Sequence, residues 1–437
     1  MLEPRGGIGQ MAVVAVQADL IDKLGRERVR VGESARLRCG RDVLALVLPL
    51  SSLDVEHAVQ VARRRHVALE VRHRLPQPLD EDLTDAIVLD VSALQRPLEI
   101  DIGRRLATVG AGMEVQALDR AARQARLCVR GLPLWPDETL GQMLAGGDCG
   151  EIGLGEATLL QDIIGARVVT GAGRTLQLGA TELFGLTASA ARGLPSPLSL
   201  LDGHEGRGLV VCELTVRLHR APWSAWAQGT FPATRPAVLA VLSAARALLA
   251  ARQIDTLRLQ ESGGAATLAV RVSSLRDEGD LAVLIRETTA RLAALGVALT
   301  AFAEEERRVR LGQQAPGWPE SRPDGAVLEL QLAWPDIPAL LDVADALAAR
   351  TDVPVQRAWA VGADAVRLRL QAVGPGPHPF QADAGHLLDA GALPIAGGSR
   401  WRQAVRERMS PAAKVVLTSL YRAFDPDSLV SPKSGLP

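Results

Sequence analysis

Residues 139–179 read TLGQMLAGGDCGEIGLGEATLLQDIIGARVVTGAGRTLQLG, and residues 203–211 follow as GHEGRGLVV. Glycines at 141, 146, 147, 150, 153 and 155 make the first half turn-rich. Such a backbone can pass close to something flat or bulky, so a binding loop is the direct reading. The second half, Ile163 to Gly179, is a β-branched run, a Gly-Ala-Gly turn and another short run, which predicts a hairpin.

In these residues the chain resembles the FAD-dependent oxidoreductases of the vanillyl-alcohol-oxidase and p-cresol-methylhydroxylase type, in their glycolate-oxidase and D-lactate-dehydrogenase branch. The resemblance rests on Thr139-Leu140-Gly141, Gly146-Gly147, Asp162 to Gly165, Arg167 to Gly179 and Gly203-His204-Glu205-Gly206. It extends to Val109-Gly110-Ala111-Gly112 before a helix, and to Phe424-Asp425-Pro426 through Pro432-Lys433, which resembles the family's terminal Phe-Asp-Pro motif. It spans nearly the whole chain, is clearest at 87–218 and 410–433, and is weak between them. Asp162 to Gly179 and Ala396-Gly397-Gly398 resemble most the smaller flavin-binding-like subunit of bacterial glycolate oxidase.

The fold implied is α+β: a two-lobed FAD-binding type domain plus a ferredoxin-like antiparallel-sheet cap domain. The expected boundaries are 1–220 for the FAD-binding type domain, 221–400 for the cap or substrate domain, and 401–437 for a segment returning to the first domain. A chain of 437 residues exceeds one compact core, in keeping with two domains. The resemblance implies FAD as cofactor, touched by Thr139, Leu140, Gly141, Gly146, Gly147, Gly150, Gly165, Gly203, Glu205, Gly206 and Val210. It also implies a catalytic flavoprotein subunit and an iron-sulfur subunit as partners. In an active enzyme, hydride would pass from a 2-hydroxy acid to the flavin.

Helices are expected at Ala18–Arg28, Leu53–His66, Val115–Gln124, Ala237–Ala251, Gly279–Ala294, Ile337–Ala349, Gln381–Ala390 and Pro411–Ala423. Ser52 with Glu56 suggests the start of the second of these. Strands at Ala45–Pro49, Val67–Val71 and Ile87–Leu89 belong to the first lobe, and Leu98–Ile100 pairs with Ala107–Val109 about a turn. Beyond Arg220, two successive β-α-β-β-α-β patterns predict one antiparallel sheet with helices on one face.

One departure from the family is pronounced. Where a glycine-rich phosphate loop is expected after Val71, the sequence is Arg72-His73-Arg74-Leu75-Pro76-Gln77-Pro78-Leu79-Asp80-Glu81-Asp82, without a glycine. Two prolines remove amide donors and three acids repel phosphate. Arg72 and Arg74 are candidate substitutes, since guanidinium matches phosphate oxygens. The plainer reading is a solvated loop on a domain whose flavin site has eroded, leaving FAD lost and the chain supporting a catalytic subunit. A free-standing protein with another ligand in the old cleft is a further alternative.

The remaining candidates read as structural. His204 replaces the family's Ser, Glu205 holds a turn, Asp148 is a turn residue, and Cys149 lacks a partnered His. His378 and His386 match no catalytic motif of the family, and Glu304 to Arg308 is a charged face. Cys39, Cys128, Cys149 and Cys212 have no metal-ligand spacing, so no metal is expected. With a net charge of −1, nucleic acid is not an expected partner. Neither a leader nor a run of about 18 apolar residues is visible. The expected place is the cytoplasm, with any membrane contact made through a partner.

Overall fold

The structure, a computed structural model, describes residues 10–73, 84–130, 138–146, 159–179, 198, 201, 206–303, 327–333, 337–338, 341–342, 345–346, 355–361, 365–372, 393–396 and 407–431. Helix α1 (Gln10–Leu24) begins well before the expected Ala18 and stops at Gly25, whose φ of 86° ends the helix. After β1 (Val29–Arg30), α2 (Glu33–Cys39) and β2 (Ala45–Val47) comes α3 (Ser52–Arg65). Its cap is Ser51 rather than Ser52: Ser51 Oγ accepts from Asp54 N, while Asp54 Oδ2 accepts from Ser51 N. Ser51 has the extended backbone a cap requires, with φ −147°, whereas Ser52 is already helical. Glu56, expected in the box, instead accepts from Thr175 N of a neighbouring hairpin at 2.8 Å.

β3 (Ala68–Arg72) and β4 (Ala86–Asp90) complete a sheet of order β1-β2-β4-β3, parallel across its last three strands. A second sheet follows from β5 (Glu99–Asp101), β6 (Leu106–Gly110), β8 (Ile163–Thr170), β9 (Thr175–Leu178) and β10 (Leu209–Arg217), in order β5-β6-β10-β8-β9. Between β6 and β8 lie α4 (Val115–Gln124), β7 (Leu127–Cys128), α5 (Leu140–Gly146) and α6 (Leu159–Asp162). The hairpin expected at 163–179 is β8–β9, with Val169 paired to Thr175. The two sheets share one core, in which Leu69, Val71, Ile87 and Leu89 meet Val169 and Val210.

Short β11 (His219–Arg220) pairs with β7 and leads into the second half. There β12 (Trp223–Pro232), α7 (Arg235–Ala250), β13 (Thr256–Ser262), β14 (Ala265–Ser274), α8 (Glu278–Ala293) and β15 (Thr300–Ala303) form one ferredoxin-like unit. β16 (Val327–Ala333), helical residues at 337–338, 341–342 and 345–346, β17 (Val355–Val361), β18 (Ala365–Ala372) and β19 (Leu393–Ala396) repeat the pattern. The eight strands are antiparallel in order β15-β12-β14-β13-β17-β18-β16-β19, which is two units joined back to back through β13 and β17. The helix expected at 381–390 lies outside the described residues.

β12 is the longest of the strands the sequence reading passed over, because small and polar residues in WSAWAQGTFP blur its alternation. It nonetheless makes ten register pairs with β14, from Trp223↔Ser274 to Pro232↔Ala265. Val238, Val241 and Leu242 of α7 pack on Leu257, Leu259, Leu268 and Val270, so the helices cover one face. Trp226, Ala269 and Phe302 cluster on the other.

The tail then crosses back. α9 (Pro411–Phe424) ends at a segment that pairs with β3: Leu69 N donates to Leu429 O at 2.9 Å and Ser431 N to Leu69 O at 2.7 Å. Ser431 Oγ, fully buried, accepts from Val71 N at 3.0 Å. Among the described residues no helix is long and apolar enough to cross a membrane.

Candidate functional site

The end of β3 is where the expected site residues converge. Thr139 is buried and its Oγ1 accepts from Gln142 N at 3.1 Å, which starts α5. Leu140 and Gly141 form that first turn, and Gly141 N donates to Ala111 O at 2.8 Å. A Cβ at Gly141 would stand 2.9 Å from His73 Nδ1 and 3.0 Å from Ala111 O, so only glycine lets α5 lie against the residue that follows β3. Across the strand end, Gly206 has φ 77°, and a Cβ there would stand 2.9 Å from Val71 Cβ and 3.3 Å from Ser431 Oγ. Glycine is therefore required at both positions by the packing of the protein on itself.

Val210 is fully buried in β10, within the core between the two sheets. Gly146 closes α5. Gly165 lies apart, in β8 beside Thr215 and next to a register irregularity between Thr215 and Val216. Gly147, Gly150, Gly203 and Glu205 fall outside the described residues, as do His204, Asp148 and Cys149. Three residues not singled out in the sequence also stand at this end of β3: His73, Gln142 and Ser431. Gln142 was legible in principle, since it stands three positions after a helix-capping Thr. Ser431 carried no local signal, because its partner Val71 is 360 residues away in the chain.

Charge at this end of the sheet is already committed. Arg72 Nη1 lies 3.9 Å from Glu70 Oε2 and donates to Val71 O at 3.4 Å, and Glu70 is buried. Asp90, at the end of β4, accepts from Arg38 at 3.3 Å and from Ser92 N and Oγ. Burial, then the Asp90 charge, pushes the nearby Cys39 thiol up to about 11.

A second polar centre lies within the first half, beside the crossing into the second. Asp162, fully buried at the end of α6, accepts from Arg130 Nε at 3.0 Å and Nη2 at 2.7 Å, and its Oδ1 lies 2.9 Å from His219 Nε2. The aspartate of the Asp162 to Gly165 motif thus joins β8 to β7 and β11, next to the crossing into the second half. Arg126 stacks over Trp223 at 4.4 Å at the same crossing.

Residues 43–179 match the family model described as an FAD binding domain. Over that stretch the chain is similar to an FAD-binding domain. The architecture is similar along 99% of both chains to 4-ethylphenol oxidase from Gulosibacter chungangensis, with a TM-score of 0.78 at 13% identity. It is similar to p-cresol methylhydroxylase over 98% of this chain and 97% of that one, with a TM-score of 0.76 at 13% identity. Alkyldihydroxyacetonephosphate synthase gives a TM-score of 0.70 over 99% and 87%, again at 13% identity. No curated protein matches the sequence. The fold is that of the p-cresol-methylhydroxylase type, and the matched domain supports FAD as the cofactor.

The described residues fit FAD on the side lined by α5. Gln142 Oε1 is buried without a hydrogen-bond partner among the described residues, an acceptor suited to an N–H or hydroxyl of the cofactor. Thr139, Leu140 and Gly141 stand beside it. Toward the diphosphate, Arg72 is the described candidate, and its charge is shared with Glu70.

Proposed function

We propose that this chain is the flavin-binding-type subunit of a complex that oxidises small 2-hydroxy acids, with a weakened diphosphate site of its own. Its work in that complex is to support a catalytic flavoprotein subunit and an iron-sulfur electron-transfer subunit. The observation that carries the reading is the end of β3. The sequence offers no glycine between Arg72 and Asp82, while Pro76 and Pro78 remove two amide donors and Asp80, Glu81 and Asp82 place negative charge where a doubly charged group would have to be held. Arg72, which could substitute, is engaged by the carboxylate of buried Glu70. A phosphate arriving there would compete with an existing ion pair.

The α5 side is retained. Gln142 would accept from the cofactor, Thr139 and Gly141 would hold the α5 start against it, and the turn at Gly206 would keep Val71 and the tail in place. When bound, FAD accepts a pair of electrons from the alcohol carbon of a 2-hydroxy acid. The resemblance to the smaller glycolate oxidase subunit at Asp162 to Gly179 supports the substrate class and the subunit role.

The test is flavin content and partner together. The chain purified alone should carry FAD well below one per polypeptide and take up added FAD with a Kd of roughly micromolar or weaker, about −8 kcal/mol. From its own host it should copurify with a flavin-bearing subunit that oxidises glycolate or D-lactate. Stoichiometric FAD retained through dialysis, with 2-hydroxy-acid turnover by the isolated chain, would overturn the reading in favour of an autonomous oxidoreductase.

A further inference from the structure

The start of α5 satisfies its own donors within the chain. Leu140 N donates to Met113 O at 2.9 Å, Gly141 N to Ala111 O at 2.8 Å and Gln142 N to Thr139 Oγ1 at 3.1 Å, so the three amides that a helix start leaves open are all taken. The facing turn is committed in the same way. Ala111 N donates to Cys212 O and Gly112 N to Leu94 O, each at 3.0 Å. A cofactor approaching this side therefore meets no open amide at these positions and has to be held by other features. Two are present: the acceptor Gln142 Oε1, buried and without a hydrogen-bond partner among the described residues, and the bare backbone surface at Gly141, which any side chain at 141 would cover.

That surface is covered by the protein itself. His73, the residue after β3, is 8% exposed, and its ring rests on Gly141 so closely that a Cβ at 141 would stand 2.9 Å from Nδ1. Ala111 O and Ala111 Cβ hem in the same point at 3.0 and 3.1 Å. The glycine that the family resemblance sets against FAD is thus in contact with a buried imidazole. A flat ring and a second flat ring cannot share one backbone surface.

We propose that His73 is a built-in occupant of the flavin cleft: its ring lies on the Gly141 surface that FAD needs, and FAD is accepted only when the side chain turns away. The inference rests on the reading of a weakened flavin site given above, to which it adds a second cause beside the missing glycines. The cofactor's apparent Kd rises by the inverse of the fraction of molecules with the ring turned out, so an outward population below about one in ten weakens uptake roughly tenfold or more. Removing the ring removes that factor while Gln142 and Gly141 stay in place.

The experiment is titration of FAD into the purified full-length chain, followed by flavin fluorescence, as wild type, His73→Ala and His73→Phe, with a urea midpoint measured for each. His73→Ala should bind FAD roughly tenfold or more tightly than wild type. His73→Phe keeps a ring over Gly141 without its nitrogens and should bind no more tightly than wild type. Weaker binding by His73→Ala would make the imidazole a cofactor ligand and overturn the proposal, as would equal binding by His73→Ala and wild type, or a gain in His73→Phe as large as that in His73→Ala. The contact itself is checked without FAD. Gly141→Ala should lower the urea midpoint more in the wild-type background than in His73→Ala, because loss of the ring relieves the closest approach at that Cβ. An equal drop would place the ring elsewhere and overturn the proposal whatever the flavin titration gives. Wild-type affinity judges the other reading separately: weak wild-type uptake with no gain in His73→Ala defeats the His73 proposal alone, whereas tight stoichiometric wild-type uptake with 2-hydroxy-acid turnover defeats the subunit reading and leaves the ratio of variant to wild type to judge His73.

Discussion

Replacing Asp162 by Asn tests whether the buried knot between α6, β7 and β11 secures the strand pair that leads into the second half. The carboxylate is fully buried and takes two bonds from Arg130, at 3.0 and 2.7 Å, with His219 Nε2 at 2.9 Å. Breaking a buried ion pair from one side costs roughly 3–5 kcal/mol. The Arg130 side chain is 33% exposed, so water can solvate the cation left behind, and the expected cost of Asp162→Asn falls to about 2–3 kcal/mol. Arg130→Met strands the fully buried partner instead and should cost more, about 3–5 kcal/mol. The assay is a urea titration followed by circular dichroism, paired with hydrogen exchange of peptides covering β7, the start of β8 and β11. Exchange should accelerate in all three for both variants. A loss below about 0.5 kcal/mol, or Asp162→Asn costing more than Arg130→Met, would refute the reasoning.

Other outcomes follow from the tail and the thiols. Gly206→Ala combines a φ of 77° with a Cβ 2.9 Å from Val71 Cβ and should cost about 1–3 kcal/mol, read as earlier proteolysis of the tail segment; unchanged proteolysis would contradict the assigned packing. Burial raises the Asp425 carboxyl, more than its bonds from Val430 and Leu429 backbone lower it. The stability it contributes is full below the ordinary carboxylate pKa and is lost as pH rises through the elevated folded value; Asp425→Asn should flatten that slope in denaturation midpoints measured between acid and neutral pH. Burial pushes the thiols of Cys39 and Cys128 up to about 11 and of Cys212 up to about 12. At pH 8 their thiolate fraction is about one in a thousand or less, so iodoacetamide should modify them only after unfolding, as mass spectrometry will show.

The local grammar of the chain was legible from sequence. The 163–179 hairpin, α4 at Val115 to Gln124 and the twofold ferredoxin-like pattern follow from turn residues and from apolar spacing, both of which act over a few residues. Errors cluster where spacing is blurred or competition is local. β12 was passed over because its alternation is broken by small residues, and the α3 cap was displaced by one because two adjacent serines can each play that part.

By itself the sequence determined the glycine positions, the absence of glycine between Arg72 and Asp82, and the motifs whose resemblance implies the FAD-binding type of fold, since each is a matter of which residue types stand at which interval. Only the tertiary structure decided that Gly141 and Gly206 flank the end of β3, that Arg72 stands 3.9 Å from the carboxylate of buried Glu70, and that Ser431 closes on Val71. It also decided that Asp162 is shared by Arg130 and His219, and that Val415 and Val416 of α9 are exposed. Each of these rests on surfaces brought together by burial of a common core. Contacts between residues tens to hundreds of positions apart leave no periodic trace in the chain that makes them.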